Sequence, residues 1–242
     1  MQASGTKNRL ELRRLFLGVV VALAVMVAAV VLLSQLLGLR EPLYQGKKVI
    51  DWALQCRSSD PNASNQAVAV LQSQILPQLT DVMLHDTNDW SVRLDLIKAL
   101  NALPGVQIPY LPAPNRRAAA AASLGIFGPP AKAAVPKLIE ALKGADEAVR
   151  GPAAQALGEI HSEPETVIPL LIGYLDTPDL RAEAADGLSA FGPEAKAAIP
   201  KLLTFFETSN KDLHDAVWDA VRTIDPKAFA KALQDRKRTP AL

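Results

Sequence analysis

Polar and apolar positions divide this chain into two regimes. Residues Leu15–Leu33 run for 19 positions without a charged or strongly polar side chain, and Leu36, Leu37 and Leu39 carry the apolar stretch on to Arg40. At 1.5 Å per residue, about 20 residues cover a ~30 Å hydrocarbon core, so the pattern predicts a transmembrane helix over 15–39. A cleaved signal peptide has a shorter apolar region and an A-x-A-like site. Ser34–Arg40 offers no small-x-small pair, which favours an uncleaved anchor. Lys7, Arg9, Arg13 and Arg14 precede the span, against Arg40, Lys47 and Lys48 after it. The positive-inside rule then predicts a cytoplasmic tail over 1–14 and an extracytoplasmic remainder. The expected location is the cytoplasmic (inner) membrane, single-pass, with a periplasmic domain. With no ionisable group inside the span, it reads as an anchor and not as an ion path.

Beyond Arg40 apolar residues fall at helical spacing. Residues 40–65 form a juxtamembrane segment in which Pro42 and Gly46 interrupt regular structure and Tyr44 is expected at the membrane interface. Val49, Trp52, Ala53 and Cys56 lie at i, i+3, i+4 and i+7, one face of a short helix suited to capping a stack. Ser58–Asn62 reads as a loop, and Asn62-Ala63-Ser64 fits a glycosylation sequon.

The remaining pattern repeats. Phe127–Ile139 reads F-G-P-P-A-K-A-A-V-P-K-L-I, and 64 residues later 191–203 reads F-G-P-E-A-K-A-A-I-P-K-L-L. A looser copy lies between them, and Pro136, Pro169 and Pro200 are spaced by 33 and 31 residues. A period of that size marks a solenoid built from one supersecondary unit. Each unit divides into two helices. The first starts at Gly-Pro, with a second proline seven positions on that should bend it. An Asp- or Asn-bearing turn follows, and the second helix opens near a basic residue: Arg93, Arg117, Arg150, Arg181 and His214. Their spacings are 24, 33, 31 and 33, so the first interval is short by about one helix. Pro104–Pro114, rich in Pro and Gly, sits where a helix should be and is expected to be extended or a loop. Pro152 is expected in the first turn of its helix, and the scattered glycines at helix ends, as caps.

Val149-Arg150-Gly-Pro-Ala-Ala-Gln-Ala-Leu-Gly158 and Phe191–Leu203 resemble the HEAT-repeat family, with the likeness covering about Gln66–Leu233 and strongest from Arg116 onward. The resemblance implies an all-α fold: an α-solenoid of helical hairpins over 66–235, preceded by the transmembrane helix and followed by a tail over 236–242. It also implies a ladder in which second-helix arginines pair with turn aspartates. Arg150 and Arg181 are expected to pair with Asp146 and Asp179.

Composition narrows the function. Lys and Arg total 26 against 25 Asp and Glu, without the basic excess of a nucleic-acid binder. One cysteine, Cys56, excludes an internal disulfide or a cysteine zinc site, and its place beside Trp52 suits a small apolar residue. His85, His161 and His214 form no H-E-x-x-H or His-Glu pair, and phosphate-loop, dinucleotide and nucleophile-elbow motifs are absent. His161 is expected in a turn between units. The reading is therefore a non-enzyme without cofactor or metal, and a HEAT-like lyase is the remote alternative.

Five positions after each basic residue the apolar face leaves a gap. Leu157 and Ile160, Leu188 and Phe191, and Trp218 and Val221 define that face, and the gap holds Lys98, Ala122, Gln155, Asp186 and Asp219. Glu183, Ser189, Asp215 and Arg222 flank it. The stripe turns acidic toward the C-terminus, which points to a concave face that binds a basic or polar segment of a protein or peptide partner. The alternative is an accessory subunit of an envelope complex that meets its partner through the transmembrane helix.

Overall fold

The computed structural model describes residues 43–87, 97–98 and 111–238. The chain divides into two compact units. One comprises Leu43–Asp89 and Leu111–Leu242; of the other, only the buried Ile97 and the exposed Lys98 are described. The expected tail 1–14, the span 15–39 and Arg93 lie outside the described residues. Among the described residues, no helix is long and apolar enough to cross a membrane.

The larger unit is an all-helical stack, without a named strand among the described residues. Its first helix, α1 (Val49–Cys56), buries Trp52, Ala53 and Cys56. The next, α2, runs over 61–85 as Pro61–Val70, a π-turn at Leu71–Ile75 and Leu76–His85. Pro77 has no N–H to give the preceding turn, a physical reason for the ladder to slip there. Then come α3 (Ala113–Ile126), a 3₁₀ turn (Pro129–Ala134) leading into α4 (Val135–Lys143), and α5 (Glu147–Ile160). The third hairpin is α6 (Pro164–Tyr174) and, after a 3₁₀ turn at Pro178–Leu180, α7 (Arg181–Ala190). The fourth is a 3₁₀ segment (Gly192–Ala198) with α8 (Ile199–Leu203), then α9 (Lys211–Ile224). Helix α10 (Pro226–Arg238) follows.

Local sequence explains the breaks. Gly128 (φ +65°) and Gly192 (φ +54°) take a left-handed backbone that non-glycine residues resist. In both hairpins the 3₁₀ turn gives way to α-helix one residue before the second proline. Pro169 lies inside α6 with no such break. Asp60, Asp146 and Asn210 cap α2, α5 and α9 by accepting a backbone N–H. At the chain's end, Asp225 accepts the N–H groups of Lys227 and Ala228 at the start of α10, and these bonds hold its carboxyl below the usual range.

The second helices α3, α5, α7 and α9 pack in series, each on the next. Leu124, Leu157, Leu188 and Val221 are all fully buried along this row, with Phe127, Ile160, Phe191 and Ile224 one turn further. Helix α3 packs against α2, so its hairpin partner is the 61–85 helix. Residues 90–110, which lie between α2 and α3 in sequence, belong to the other unit.

Several expectations are corrected. Tyr44 is 5% exposed and sits in the core, its carbonyl accepting from Trp52 Nε1 at 2.8 Å, instead of facing a membrane interface. The Ser58–Asn62 loop ends early, because Asp60 starts α2 at Pro61. Pro112–Pro114 already serves as cap and first turn of α3, a place proline tolerates. Pro152 lies in the second turn of α5, since Asp146 sets the helix start earlier. Helix α10 extends three residues beyond the expected boundary at 235. Not all glycines are caps. A β-carbon on Gly158 would lie 2.5 Å from the Gly187 carbonyl oxygen, and one on Gly187 would lie 2.7 Å from that of Ala154. These residues let α5 and α7 cross backbone to backbone.

Candidate acidic groove

The ladder residues do not behave as one set. Arg117, 16% exposed, donates from Nε to Asp146 Oδ2 at 2.6 Å and from Nη1 to the Asp86 carbonyl. Its neighbour Arg116 grips the Asp86 carboxylate with two bonds of 2.7 and 2.9 Å. Asp146 therefore pairs with Arg117 of the preceding hairpin, not with Arg150. Arg150 Nε is buried with no acceptor. Arg181 does not meet Asp179: its Nε donates to the Leu175 carbonyl at 2.9 Å, and its guanidinium lies over the Phe205 ring. His214 faces Asp215 at 3.3 Å and packs on Trp218. His161 ends α5 in a left-handed turn, with ring nitrogens 3.0 Å from the Ala190 carbonyl and 3.2 Å from Glu194. Cys56 is buried, which pushes its thiol above the ordinary value and away from nucleophilic thiolate.

On the opposite side of the second helices, Ala122, Gln155, Asp186 and Asp219 are all exposed. Gln155 Nε2 donates to Asp186 Oδ2 at 3.3 Å, linking α5 to α7. Lys98 belongs to the other unit and has no described place in this row. Glu183 leaves it, because its side chain folds onto Gly151 of α5, where no β-carbon stands in the way.

The row ends in a groove of about 550 Å³ with α9 as its main wall. Asp186, Asp212, Asp215 and Asp219 line it, opposed by the single guanidinium of Arg222. Asp212, Asp215 and Asp219 follow one helical stripe along α9. Arg222 is tied to Asp219, and among the described residues no other cation lines the groove. Partial desolvation raises the Asp186 carboxyl above its ordinary value; the Gln155 hydrogen bond works against that rise and the Asp219 charge adds to it.

Aromatic rings form the apolar part. Trp218 was expected wholly on the buried face, but it is half-buried and lines the groove with Phe229 of α10. It stacks on Phe206 at 5.0 Å and meets Phe229 edge-on at 5.4 Å, and its Nε1 donates to the Phe206 carbonyl. Buried faces on α9 are instead Leu213, Ala216, Val217, Ala220, Val221 and Ile224. Sequence reasoning missed Asp212 and Phe229. The Asp212-Asp215-Asp219 spacing held the signal for the first, whereas Phe229 enters only because α10 folds back on α9.

Carboxylates beside half-buried aromatic rings suit an ammonium or guanidinium, and the Arg236 guanidinium already lies over the Trp218 ring at 5.5 Å. Among the described residues, no group of three or more His, Cys, Asp or Glu is placed to hold a metal ion. Residues 107–189 match the family model for HEAT repeats. The match takes in α3 through nearly all of α7 and stops before α9, so most of the groove lies beyond it. No curated protein matches the chain.

Proposed function

We propose that this chain is a protein-interaction scaffold, held at the cytoplasmic membrane by residues 15–39, whose extracytoplasmic stack takes a basic segment of a partner in the acidic groove. The observation that carries the reading is the groove itself: four aspartates and two aromatic rings gathered by α7, α9 and α10. HEAT repeats over 107–189 add support, since solenoids commonly present extended surfaces to proteins. The uncharged 19-residue run Leu15–Leu33 supports the anchor. The reading assigns the chain no reaction and no cofactor.

Capture from detergent-solubilised membranes tests it, with the full chain and with a chain lacking residues 1–40 as baits. A partner retained by both baits is expected. Loss of the partner on removing residues 1–40 alone overturns groove binding in favour of contact through the anchor.

A further inference from the structure

Five large apolar side chains are exposed among the described residues: Leu43 (60%), Ile50 (47%), Leu54 (63%), Leu111 and Ile126. The first three fall within one twelve-residue stretch, at the start of the stack. Helix α1 explains how two of them come together. At 100° per residue, Trp52, Ala53 and Cys56 share the side buried against the stack, and Asp51 and Gln55 share a polar side. Ile50 and Leu54, one turn apart, occupy a second apolar side that faces outward. A helix surrounded by water gains nothing from a second apolar face, so this one needs an occupant.

Position along the chain supplies it. The apolar span ends at Leu39, four residues before Leu43. Four fully extended residues reach at most about 14 Å. The polar headgroup layer on each side of the hydrocarbon core is itself about 5–8 Å thick. Under the anchored reading Leu43 is thereby held within about 14 Å of the end of the span, and the bond from Trp52 Nε1 to the Tyr44 carbonyl keeps α1 beside it. Exposed Lys47 and Lys48 stand just before α1, with the Lys47 ammonium donating to Gln55 Oε1 at 2.7 Å. The helix is also fixed to the stack: Arg57 Nη2 donates to the Ile126 carbonyl at 2.6 Å, and Ser64 Oγ to the Cys56 carbonyl at 2.9 Å.

We propose that Leu43, Ile50 and Leu54 form a lipid-contacting surface, with α1 lying on the bilayer between the acyl chains and the stack. One apolar face of α1 seals the end of the stack and the other sits at the headgroup boundary. The proposal rests on the anchored reading above.

Single nitroxide labels in the full chain test it, in bilayer discs of phosphatidylcholine and phosphatidylglycerol and on a Cys56→Ala background. Labels go at Val25, Leu43, Ile50, Leu54, Gln55 and Lys196, each through a cysteine substitution. Relaxation by oxygen, which concentrates in lipid, is compared with relaxation by a water-soluble nickel chelate. Labels at 43, 50 and 54 are expected to favour oxygen over nickel several-fold more than labels at 55 and 196. If nickel reaches 43, 50 and 54 as readily as 55 while 25 stays protected, the lipid surface is refuted and the anchor stands. If nickel reaches 25, the anchored reading fails and the proposal falls with it. Labels at 43, 50 and 54 shielded from both reagents mean that protein covers the face, which also overturns the proposal.

Discussion

The crossing of α5 over α7 makes a sharp test of the stack. A methyl group at Gly158 would stand 2.5 Å from the Gly187 carbonyl oxygen and 2.6 Å from the Gly187 Cα. Favourable carbon contacts lie at about 3.5–4.0 Å, so Gly158→Ala requires the helices to part by about 1 Å. Both obstructing atoms are backbone, and neither can turn aside as a side chain would. Two terms oppose each other. Alanine gains about 1 kcal/mol over glycine within a helix, while overpacking a close contact costs about 1–3 kcal/mol. Parting the helices also loosens Leu157 and Leu188, both fully buried. The clash should dominate, for a net loss of up to about 2 kcal/mol and a fall in melting temperature of up to about 8 °C. Gly173 is the control: it lies within α6, and a β-carbon there meets nothing within 4 Å. Gly173→Ala should therefore raise stability by up to about 1 kcal/mol. Thermal and urea melts of the full chain in detergent, followed by circular dichroism, read both variants. A Gly158→Ala protein that melts at or above the parent temperature would refute the close crossing.

Three other outcomes follow from the same geometry. Arg117→Met should cost about 1–3 kcal/mol by stranding Asp146, whereas Arg150→Met should leave stability unchanged or raise it, because it removes a buried Nε with no acceptor; equal losses in urea melts would return both arginines to one ladder. Trp218→Ala should cost about 2–4 kcal/mol by opening the cluster with Phe206 and Phe229, and Trp218→Phe should recover most of it; a loss under about 0.5 kcal/mol for the alanine variant would mean the ring does not hold α10 in place. Asp186 must be ionised to attract a basic ligand, and its carboxyl is raised, so binding should weaken on acidification at a higher pH than an ordinary aspartate would dictate. The same shift favours folding at low pH, a contribution lost as pH rises through the raised value. Binding measured against pH should lose its upper step in Asp186→Asn, and an unchanged profile would exclude Asp186 from the groove's action.

The sequence carried the period of the stack because burial imposes it: the same apolar positions recur wherever one second helix covers the next. Its repeated Gly-Pro starts were legible for a related reason, since few residues tolerate a left-handed backbone at Gly128 and Gly192. Partner choice in the ladder was not legible. Arg117 and Arg150 stand at equivalent places, yet only Arg117 reaches a turn aspartate, a difference set by side-chain paths and not by spacing. Tyr44 was misplaced because an amphipathic ring suits either a membrane interface or a core, and only the fold of 44–52 decides. The acidic stripe could be read from Asp186, Asp215 and Asp219 at helical register. Its aromatic wall could not, because Phe229 joins it only through the return of α10.

The most direct test of the scaffold reading is the affinity of the captured partner for the full chain and for a double charge reversal, Asp186→Lys with Asp219→Lys. Both residues are exposed, so the melting temperature should scarcely move. Reversing two of four groove carboxylates should weaken a basic partner at least about tenfold, or ~1.4 kcal/mol, with the loss shrinking as salt is raised. Unchanged affinity in a folded double variant would contradict the account and place the partner elsewhere on the chain.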